Sequence, residues 1–111
     1  MYIYHITSEA EWLAAKQSGS YRPARYNVDG FIHCSQKDQV IRTGNKFYLH
    51  QTGLVILKIA EDLLPCPVIE ENLDGGEELF PHIYGLLPVS AVIAAIPFIC
   101  GPDGFSLPEN L

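Results

Sequence analysis

An apolar segment near the middle of the chain constrains the fold more than any other feature. Between Leu54 and Ile59 only Lys58 is polar. Such a run predicts a central strand covered on both faces, because a strand with one face in water alternates apolar and polar side chains. The length of 111 residues matches one domain. We therefore predict a single domain, residues 1–111, built around this strand.

Shorter apolar segments, separated by turn-forming residues, predict the rest of a sheet of about six strands. The additional predicted strands are residues 2–6, 31–34, 64–70, 79–84 and 91–98. Prolines within residues 64–70 place that strand at a sheet edge, because proline cannot donate to a neighbouring strand. The tail from Gly101 is rich in proline and glycine, and we predict that it is irregular.

A first helix is predicted over about residues 9–18. Ser8 and Glu11 have the spacing of a capping box, in which each side chain satisfies a backbone amide of the other residue. Gly19 suits the left-handed conformation that ends helices. The predicted buried residues of this helix are Trp12, Leu13 and Ala15.

A second helix is predicted to begin after Ser35. Ser35 occupies an N-cap position with Asp38 three residues later, and the helix carries Val40 and Ile41 to about Gly44. Residues 20–30 between the two helices are polar and rich in turn formers, so we predict that they cross the surface as a loop.

The charge and hydropathy of the chain argue against two classes of partner. A formal net charge of -6 repels polyanions such as nucleic acids. Residues 1–10 lack the features of a signal peptide, and no run approaches the roughly 18 apolar residues of a membrane span. Cys34, Cys66 and Cys100 are odd in number and far apart, which indicates reduced thiols. We therefore predict a cytoplasmic protein that binds a small molecule rather than a nucleic acid or a membrane.

Two histidines lie in similar settings, each near the end of a predicted strand and just before a predicted helix. His5 precedes Thr7, and His33 precedes Ser35. Helix N-termini present backbone N–H groups and a partial positive charge to anions such as phosphate. The pattern predicts a site for a nucleotide or another phosphorylated ligand, with Thr7 and Ser35 among its ligand-binding residues.

A third histidine, His82, is predicted on a short strand with Tyr84 on the same face. Tyr84 could stack on a ligand, and Gly85 would permit close approach of the backbone. We expect His82 to join His5 and His33 because strand ends followed by helices often meet at one edge of a sheet. His50 has a loop composition and is left out of the site.

Each of these predictions has a simpler alternative. A single strand histidine is more often a structural hydrogen-bonding residue than a functional one, and three converging imidazoles could also bind a metal ion. The sequence has no HExxH motif, and no metal is expected. Cys34 is interpreted as structural, because His33 would point to the opposite face of the strand. The acidic run is interpreted as a solvated turn in which Glu77 or Glu78 could be a general base. Its members are Glu70, Glu71, Asp74, Glu77 and Glu78.

Four strings of uncommon residues resemble one family. They are residues 4–7 (YHIT), 30–35 (GFIHCS), 45–48 (NKFY) and 79–85 (LFPHIYG). In this order they resemble an uncharacterised bacterial family, number nine-five-two of the domains of unknown function, over nearly the whole chain. The chain departs from the expected pattern at Leu86, where proline is expected.

That family is in turn distantly similar to the ADP-ribosyltransferase fold, and this resemblance implies a small α+β domain with a split β-sheet and two N-terminal helices. It also implies a cleft for nicotinamide adenine dinucleotide (NAD), lined by residues of two strands that His5 and His33 match. His82 stands where the fold has a glutamate, which puts ordinary ADP-ribosyl transfer in doubt. The related RNA 2'-phosphotransferases use a histidine and basic residues on phosphate, a role that Arg42 or Lys46 could fill.

The sequence therefore supports one leading hypothesis and two alternatives. In the leading hypothesis His5, His33 and His82 are catalytic residues of a cleft that binds NAD or another nucleotide, and the protein is a transferase. The predicted ligand-binding residues are Thr7, Ser35, Arg42, Lys46, Tyr84 and Gly85. The first alternative is a non-catalytic module that binds a metabolite or a protein, and the second is a three-histidine metal site.

Overall fold

The computed structural model describes residues 1–72, 76–109 and 111. Within these residues the strands are β1 (Tyr2–Ser8), β2 (Ser20–Tyr21), β3 (Ile32–His33), β4 (Leu54–Ala60), β5 (Val68–Glu71), β6 (Phe80–Ile83), β7 (Leu87–Pro88), β8 (Val92–Phe98), β9 (Cys100–Gly101) and β10 (Gly104–Phe105). The α-helices are α1 (Glu9–Ser18), α2 (Tyr26–Asp29) and α3 (Val40–Phe47), and single 3-10 turns span Glu61–Leu63 and Val89–Ala91.

Strand β4 lies at the centre of a three-stranded antiparallel sheet with the order β1-β4-β8. Its side chains contribute to two separate apolar clusters, one on each face. Val55, Leu57 and Ile59 belong to the first cluster. Leu54 and Ile56 belong to the second. The prediction of a doubly covered central strand is confirmed, and burial on both faces explains why the segment is almost continuously apolar.

A second three-stranded antiparallel sheet has the order β3-β6-β5 and carries most of the candidate site. It meets the first sheet where Tyr4 and Ser35 exchange two backbone hydrogen bonds, of 2.9 and 2.7 Å. Two further pairs, β2 with β7 and β9 with β10, are also antiparallel. This bridge brings His5, in β1, close to the strand that carries His33.

Helix α1 is confirmed, with one wrong prediction about its buried face and one about its cap. The Glu11 carboxylate accepts from the Ser8 hydroxyl over 3.5 Å rather than from the Ser8 amide, so only half of the predicted capping box forms. The amide of Glu11 donates to Ser8 Oγ over 3.1 Å, and Gly19 ends the helix with φ of 92°. Trp12 and Ala15 are buried, but Leu13 is 47% exposed. Trp12 and Leu13 are neighbours in sequence and lie about 100° apart around the helix, and the buried side is the one that Trp12 shares with Ala15, three residues later.

Helix α3 differs from its prediction at both ends. It begins at Val40, and Ser35 does not cap it because the backbone of Ser35 pairs with Tyr4 and its Oγ lies 3.2 Å from Thr43 Oγ1. The helix continues through Gly44 to Phe47. Glycine is required here by packing, since a Cβ at Gly44 would lie 2.7 Å from Phe98 Cε2.

Two segments predicted as loops contain ordered elements. Residues 20–30 include β2 and α2, so the protein has three α-helices among the described residues where we predicted two. The tail beyond Gly101 forms the β9–β10 hairpin, which places the Phe105 ring in a stacked contact with Phe98 at 4.1 Å between centroids. In both segments one buried aromatic side chain, Tyr21 or Phe105, anchors residues that otherwise have turn composition.

The described elements form a small α+β structure with several antiparallel sheets and three helices, which confirms the predicted fold class at this level. The six predicted strands are all present with adjusted ends, and four short strands were missed. In the part of the chain that the structure describes, no helix has the length and apolar character needed to cross a membrane.

Candidate functional site

The centre of the candidate site is a direct contact between two imidazole rings. Nδ1 of His33 lies 3.2 Å from Nε2 of His82. The contact follows from strand register, because His33 in β3 is directly opposite His82 in β6. Side chains directly opposite each other in an antiparallel pair project from the same face of the sheet. Two histidines separated by 49 residues in sequence are thereby fixed next to each other.

A carboxylate lies behind this pair. Oε1 of Glu71, the last residue of β5, is 2.9 Å from Nδ1 of His82 and also accepts a hydrogen bond from the Tyr84 hydroxyl. These bonds from Tyr84 and His82 lower the pKa of Glu71. The same bond raises the pKa of Tyr84, because loss of its proton would place two negative charges together. Glu71 is therefore an anion whose carboxylate accepts the hydrogen bond from Nδ1 of His82.

The proton positions in this series follow from the chemistry of the acceptors. A carboxylate only accepts hydrogen bonds, so Nδ1 of His82 carries the proton and Nε2 of a neutral His82 does not. Nδ1 of His33 must then be the donor to His82 Nε2. We call the series Glu71, His82 and His33 the relay.

The Phe31 ring packs against the face of the His82 ring. It stacks on His82 with 4.0 Å between ring centroids and 17° between planes. His82 is only 4% exposed, so its hydrogen bonds lie in a medium of low dielectric, where electrostatic attraction is stronger than in water.

His5 belongs to a second hydrogen-bonded network. Its Nδ1 donates to the backbone carbonyl of His33 over 2.6 Å, and its Nε2 lies 2.8 Å from the Tyr21 hydroxyl. That hydroxyl is 3.0 Å from Thr7 Oγ1. Burial lowers the pKa of His5 to about 4, and burial also raises the pKa of Tyr21. The network is therefore neutral near pH 7, and it holds the backbone of His33 in place.

Two adjoining cavities open at the relay. Their volumes are about 620 and about 540 Å³, and His33 lines both. Cavities of this size accommodate small organic ligands. His5 lines the first cavity and His82 lines the second. Residues shared by the two are Arg25, Asp29, Phe31, His33, Thr43 and Phe47.

The two cavities differ in chemistry. The first is rich in aromatic side chains, which are Tyr4, Tyr21, Phe31, Phe47 and Tyr48. The second is rich in charges of both signs. Arg42 in its wall forms a bidentate ion pair with Glu78, in which the longer bond is 2.7 Å. This pair is solvent-exposed on both sides, so it contributes little to stability but neutralises much of the local charge.

The predicted ligand-binding residues separate into three groups. Thr7 and Ser35 line the first cavity, and Arg42 and Lys46 line the second. Tyr84 lines neither cavity, and its hydroxyl donates a hydrogen bond to Glu71. Gly85 makes the close approach predicted for it, but towards Cys66: a Cβ on Gly85 would lie 2.7 Å from Cys66 Cβ.

The predicted helix N-terminus is confirmed after His5 and is wrong after His33. Helix α3 begins seven residues after His33, so its N-terminus does not adjoin this residue. At α1, Ser8 caps the Glu11 amide, and the amide of Glu9 donates to the Gly53 carbonyl over 2.7 Å. Glu9 and Glu11 also place two carboxylates in the first turn, which disfavours a bound anion there.

The remaining candidates have clear positions. Cys34 is fully buried, and burial raises the pKa of its thiol. His50 lies in an exposed loop with φ of 64°. Among residues 1–72, 76–109 and 111, no group of three or more His, Cys, Asp or Glu side chains could hold a metal ion. His33 and His82 meet ring to ring, whereas the ring of His5 contacts the backbone of His33.

Sequence reasoning missed two residues of the site, Glu71 and Tyr21. Glu71 belongs to the acidic run that we interpreted as a solvated turn, and Asp74 of that run lies outside the described residues. The signal that could have identified Glu71 was its position at the end of a predicted edge strand. Tyr21 stood in a predicted loop, where a lone aromatic residue among polar neighbours was the corresponding signal.

Comparison with known proteins identifies relatives over most of the chain. Residues 6–95 match the family described as "Protein of unknown function (DUF952)". The X-ray crystal structure of protein CC0527 from Caulobacter crescentus is 37% identical in sequence, with 95% of this chain and 92% of that chain covered and a TM-score of 0.85. The solution NMR structure of CC0527 is also 37% identical, with 99% and 96% covered and a TM-score of 0.85. Among curated proteins none matches.

Proposed function

This chain belongs to the DUF952 family of proteins of unknown function, and we propose that it is an enzyme that binds a small nucleotide-like ligand in the two cavities and transfers a proton at His33. The observation that carries the proposal is the relay. A carboxylate, a buried imidazole and a second imidazole are hydrogen-bonded in series, and the last ring lines both cavities. A positioned histidine backed by a carboxylate is a common arrangement for general acid–base catalysis.

The nucleotide-like character of the ligand is supported by the difference between the cavities. Aromatic side chains in the first cavity offer stacking surfaces for a planar base. Lys46 in the second cavity offers positive charge for a phosphate, and Arg42 could do so only by leaving its ion pair with Glu78, while Glu71 and Glu77 line the same wall. A ligand that spans both cavities passes His33. We propose NAD as the first ligand to test, because of the resemblance to ADP-ribosyltransferases.

Within that resemblance, Glu71 supplies the carboxylate that the chain lacks at the position of His82. It lies one hydrogen bond behind His82, so its charge can act on the reacting group through the imidazole. In this proposal His33 and His82 are the proton-transfer pair. His5 is a positioning residue, because both of its ring nitrogens are engaged by the protein.

Ligand binding can be tested by NMR titration with NAD, ADP and AMP while the histidine ring signals are followed. We expect saturable shifts for His33 and His82 and none for His50, which lies outside both cavities. His33→Ala should weaken the shifts at His82, and His50→Ala is the matched control. Unchanged histidine signals at millimolar concentrations of all three ligands would refute the proposal.

Catalysis can be tested by incubating the protein with NAD and measuring released nicotinamide. We expect the unaltered protein to release nicotinamide, His33→Ala to abolish this release and His50→Ala to leave it unchanged. Proton-transfer groups contribute roughly 100- to 10,000-fold to rates, so the loss should be easy to detect.

A non-catalytic ligand-binding module is the second candidate. It is favoured by the aromatic walls of the first cavity and by the engagement of His5 within the protein. Saturable binding of a nucleotide that is recovered intact would select this candidate.

A further inference from the structure

We propose that the first cavity recognises an amidine-type group, in which N–H donors are conjugated with a planar ring, and that the Thr7 oxygen and the Glu11 carboxylate accept those donors. The inference rests on the proposed function and names the part of the ligand that enters this cavity. In a nucleotide, the corresponding group is a base with an exocyclic amino group, such as adenine or cytosine. A ring that presents a carbonyl oxygen to the same two acceptors would bind less tightly.

The polarity of the Thr7 hydroxyl follows from the network that contains His5. The His33 carbonyl can only accept, so the 2.6 Å contact requires the proton of His5 to be on Nδ1. His5 is neutral near pH 7, because burial lowers its pKa to about 4, and its Nε2 therefore carries a lone pair. The Tyr21 hydroxyl lies 2.8 Å from this nitrogen and must donate to it.

The other contact of Tyr21 then determines where the Thr7 hydrogen points. Because Tyr21 uses its single hydrogen on His5, its oxygen accepts from Thr7 Oγ1 across 3.0 Å. Burial raises the pKa of Tyr21 while the bond with Thr7 works in the opposite direction, which is the sign expected when Thr7 is the donor. Thr7 lines the first cavity, so its oxygen presents lone pairs there and no hydrogen.

The second acceptor is the carboxylate of Glu11. Apart from histidines, the charged side chains that line the first cavity are Glu11, Arg25 and Asp29. Arg25 donates two hydrogen bonds to Asp29, of 3.1 and 3.3 Å, so these two charges largely offset each other. Within the described residues Glu11 is bonded to no basic side chain, and its carboxylate accepts one long hydrogen bond, from Ser8 Oγ over 3.5 Å. The Glu11 carboxylate is therefore available to a positively charged donor.

The aromatic walls of the cavity complement this charge. Burial is the main reason why the pKa values of Tyr21 and Tyr48 are raised, and the nearby negative charge of Glu11 adds to both shifts. Aromatic rings offer flat surfaces to a planar group and attract a cation over their faces. The hydroxyls of Tyr4 and Tyr48 can rotate to donate or to accept, so they oppose neither polarity. An amidinium ion combines the flat shape, the donors and the positive charge that these walls favour.

The test compares benzamidine with benzamide, two planar molecules of nearly the same size. Protonated benzamidine is a cation in which both nitrogens donate, whereas benzamide is neutral and presents a carbonyl oxygen. In NMR titrations we expect saturable shifts of the His5 and Tyr21 ring signals. Benzamidine should bind roughly three- to tenfold more tightly, because a partly solvated carboxylate gives a moderate charge-assisted hydrogen bond. Equal affinities, or no binding of benzamidine at millimolar concentration, would overturn the inference.

Two variants of neighbouring carboxylates locate the charge. Glu11→Gln removes the charge and keeps the backbone amide that bonds to Ser8, so the helix should form and the preference for benzamidine should largely disappear. Glu9→Gln is the matched control, because Glu9 lies in the same first turn of α1 but lines neither cavity. An unchanged preference in Glu11→Gln would overturn the inference. An equal loss in both variants would do so too, because it would reflect only the attraction of cations to a protein of net charge -6.

The polarity of Thr7 can be tested without a ligand, through the ring tautomer of His5 measured by ¹H–¹⁵N NMR at neutral pH. We expect the proton on Nδ1. A proton on Nε2 would make Tyr21 the acceptor from His5, and Tyr21 would then donate to Thr7. The Thr7 hydrogen would be left for the cavity, and the inference would be overturned.

These measurements separate the inference from the proposed function. If benzamidine is preferred while the nucleotide titration gives no shift, the polarity of the first cavity stands and the proposed ligand class fails. If nucleotides bind while benzamidine is not preferred, the ligand class stands and the polarity fails.

Discussion

Acidification should destabilise this protein through His5. His5 is 8% exposed, and burial lowers its pKa from 6.5 in an ordinary peptide to about 4. The unfolded chain therefore binds the proton more tightly than the folded chain does. The stabilising contribution is fully present above pH 6.5 and is lost as the pH falls towards 4.

The size of the effect follows from the shift. Each unit of pKa difference corresponds to about 1.4 kcal/mol, so His5 should reduce the free energy of unfolding by about 2 kcal/mol at about pH 5 and about 3 kcal/mol at about pH 4. That loss is a large part of the roughly 5 to 15 kcal/mol that stabilises a typical domain. Glu71 and Glu78 also lose stabilisation in acid, beginning as the pH falls through the ordinary carboxyl pKa and continuing towards their lowered pKa values.

The assay is urea denaturation at several pH values between 7 and 4 for three proteins. His5→Asn keeps a donor for the His33 carbonyl but removes the titrating group, so its stability should fall less steeply with acidification. His50→Asn is the control, because asparagine tolerates the positive φ of this exposed loop residue and the pH dependence should be unchanged. Equal losses in the unaltered protein and in His5→Asn between pH 6.5 and about 5 would refute the reasoning.

Three further predictions concern packing, the neutral network and the cysteines. Gly44→Ala should lower the free energy of unfolding by about 1–3 kcal/mol through overlap with the Phe98 ring, and a variant as stable as the parent in urea would contradict the packing described for α3. Tyr21→Phe should lower the free energy of unfolding by about 1–3 kcal/mol, because a buried nitrogen of His5 loses its hydrogen-bond partner. An unchanged midpoint of thermal denaturation would contradict this prediction. Cys34 should be alkylated last of the three cysteines under native conditions, as checked by peptide mass spectrometry, and early labelling would show that its strand opens readily.

The parts of the fold that could be predicted from sequence are those determined by local chemistry. The almost continuous apolar run identified β4, and the Ser8–Glu11 spacing with Gly19 identified both ends of α1. Prediction failed where a distant residue competed for the same group. Ser35 had the sequence of an N-cap, but its backbone is paired with Tyr4 and its hydroxyl with Thr43.

The three histidines of the candidate site were predicted, but their arrangement and their partners Glu71 and Tyr21 were not. Convergence around His33 was expected from similar local settings, and the structure brings His82 to its ring and His5 to its backbone. The ring contact depends on the register between β3 and β6, which no local pattern specifies. Glu71 could not be separated from its acidic neighbours, because only strand pairing shows which carboxylate faces a histidine.

The two backbone hydrogen bonds between Tyr4 and Ser35 have a consequence for how the site is held together. They join the sheet that contains His5 to the sheet that contains the relay, and Tyr4 and Ser35 both line the first cavity. The wall of that cavity is therefore continuous across the two sheets, and the hydrogen bond from His5 to the His33 carbonyl reinforces the same junction.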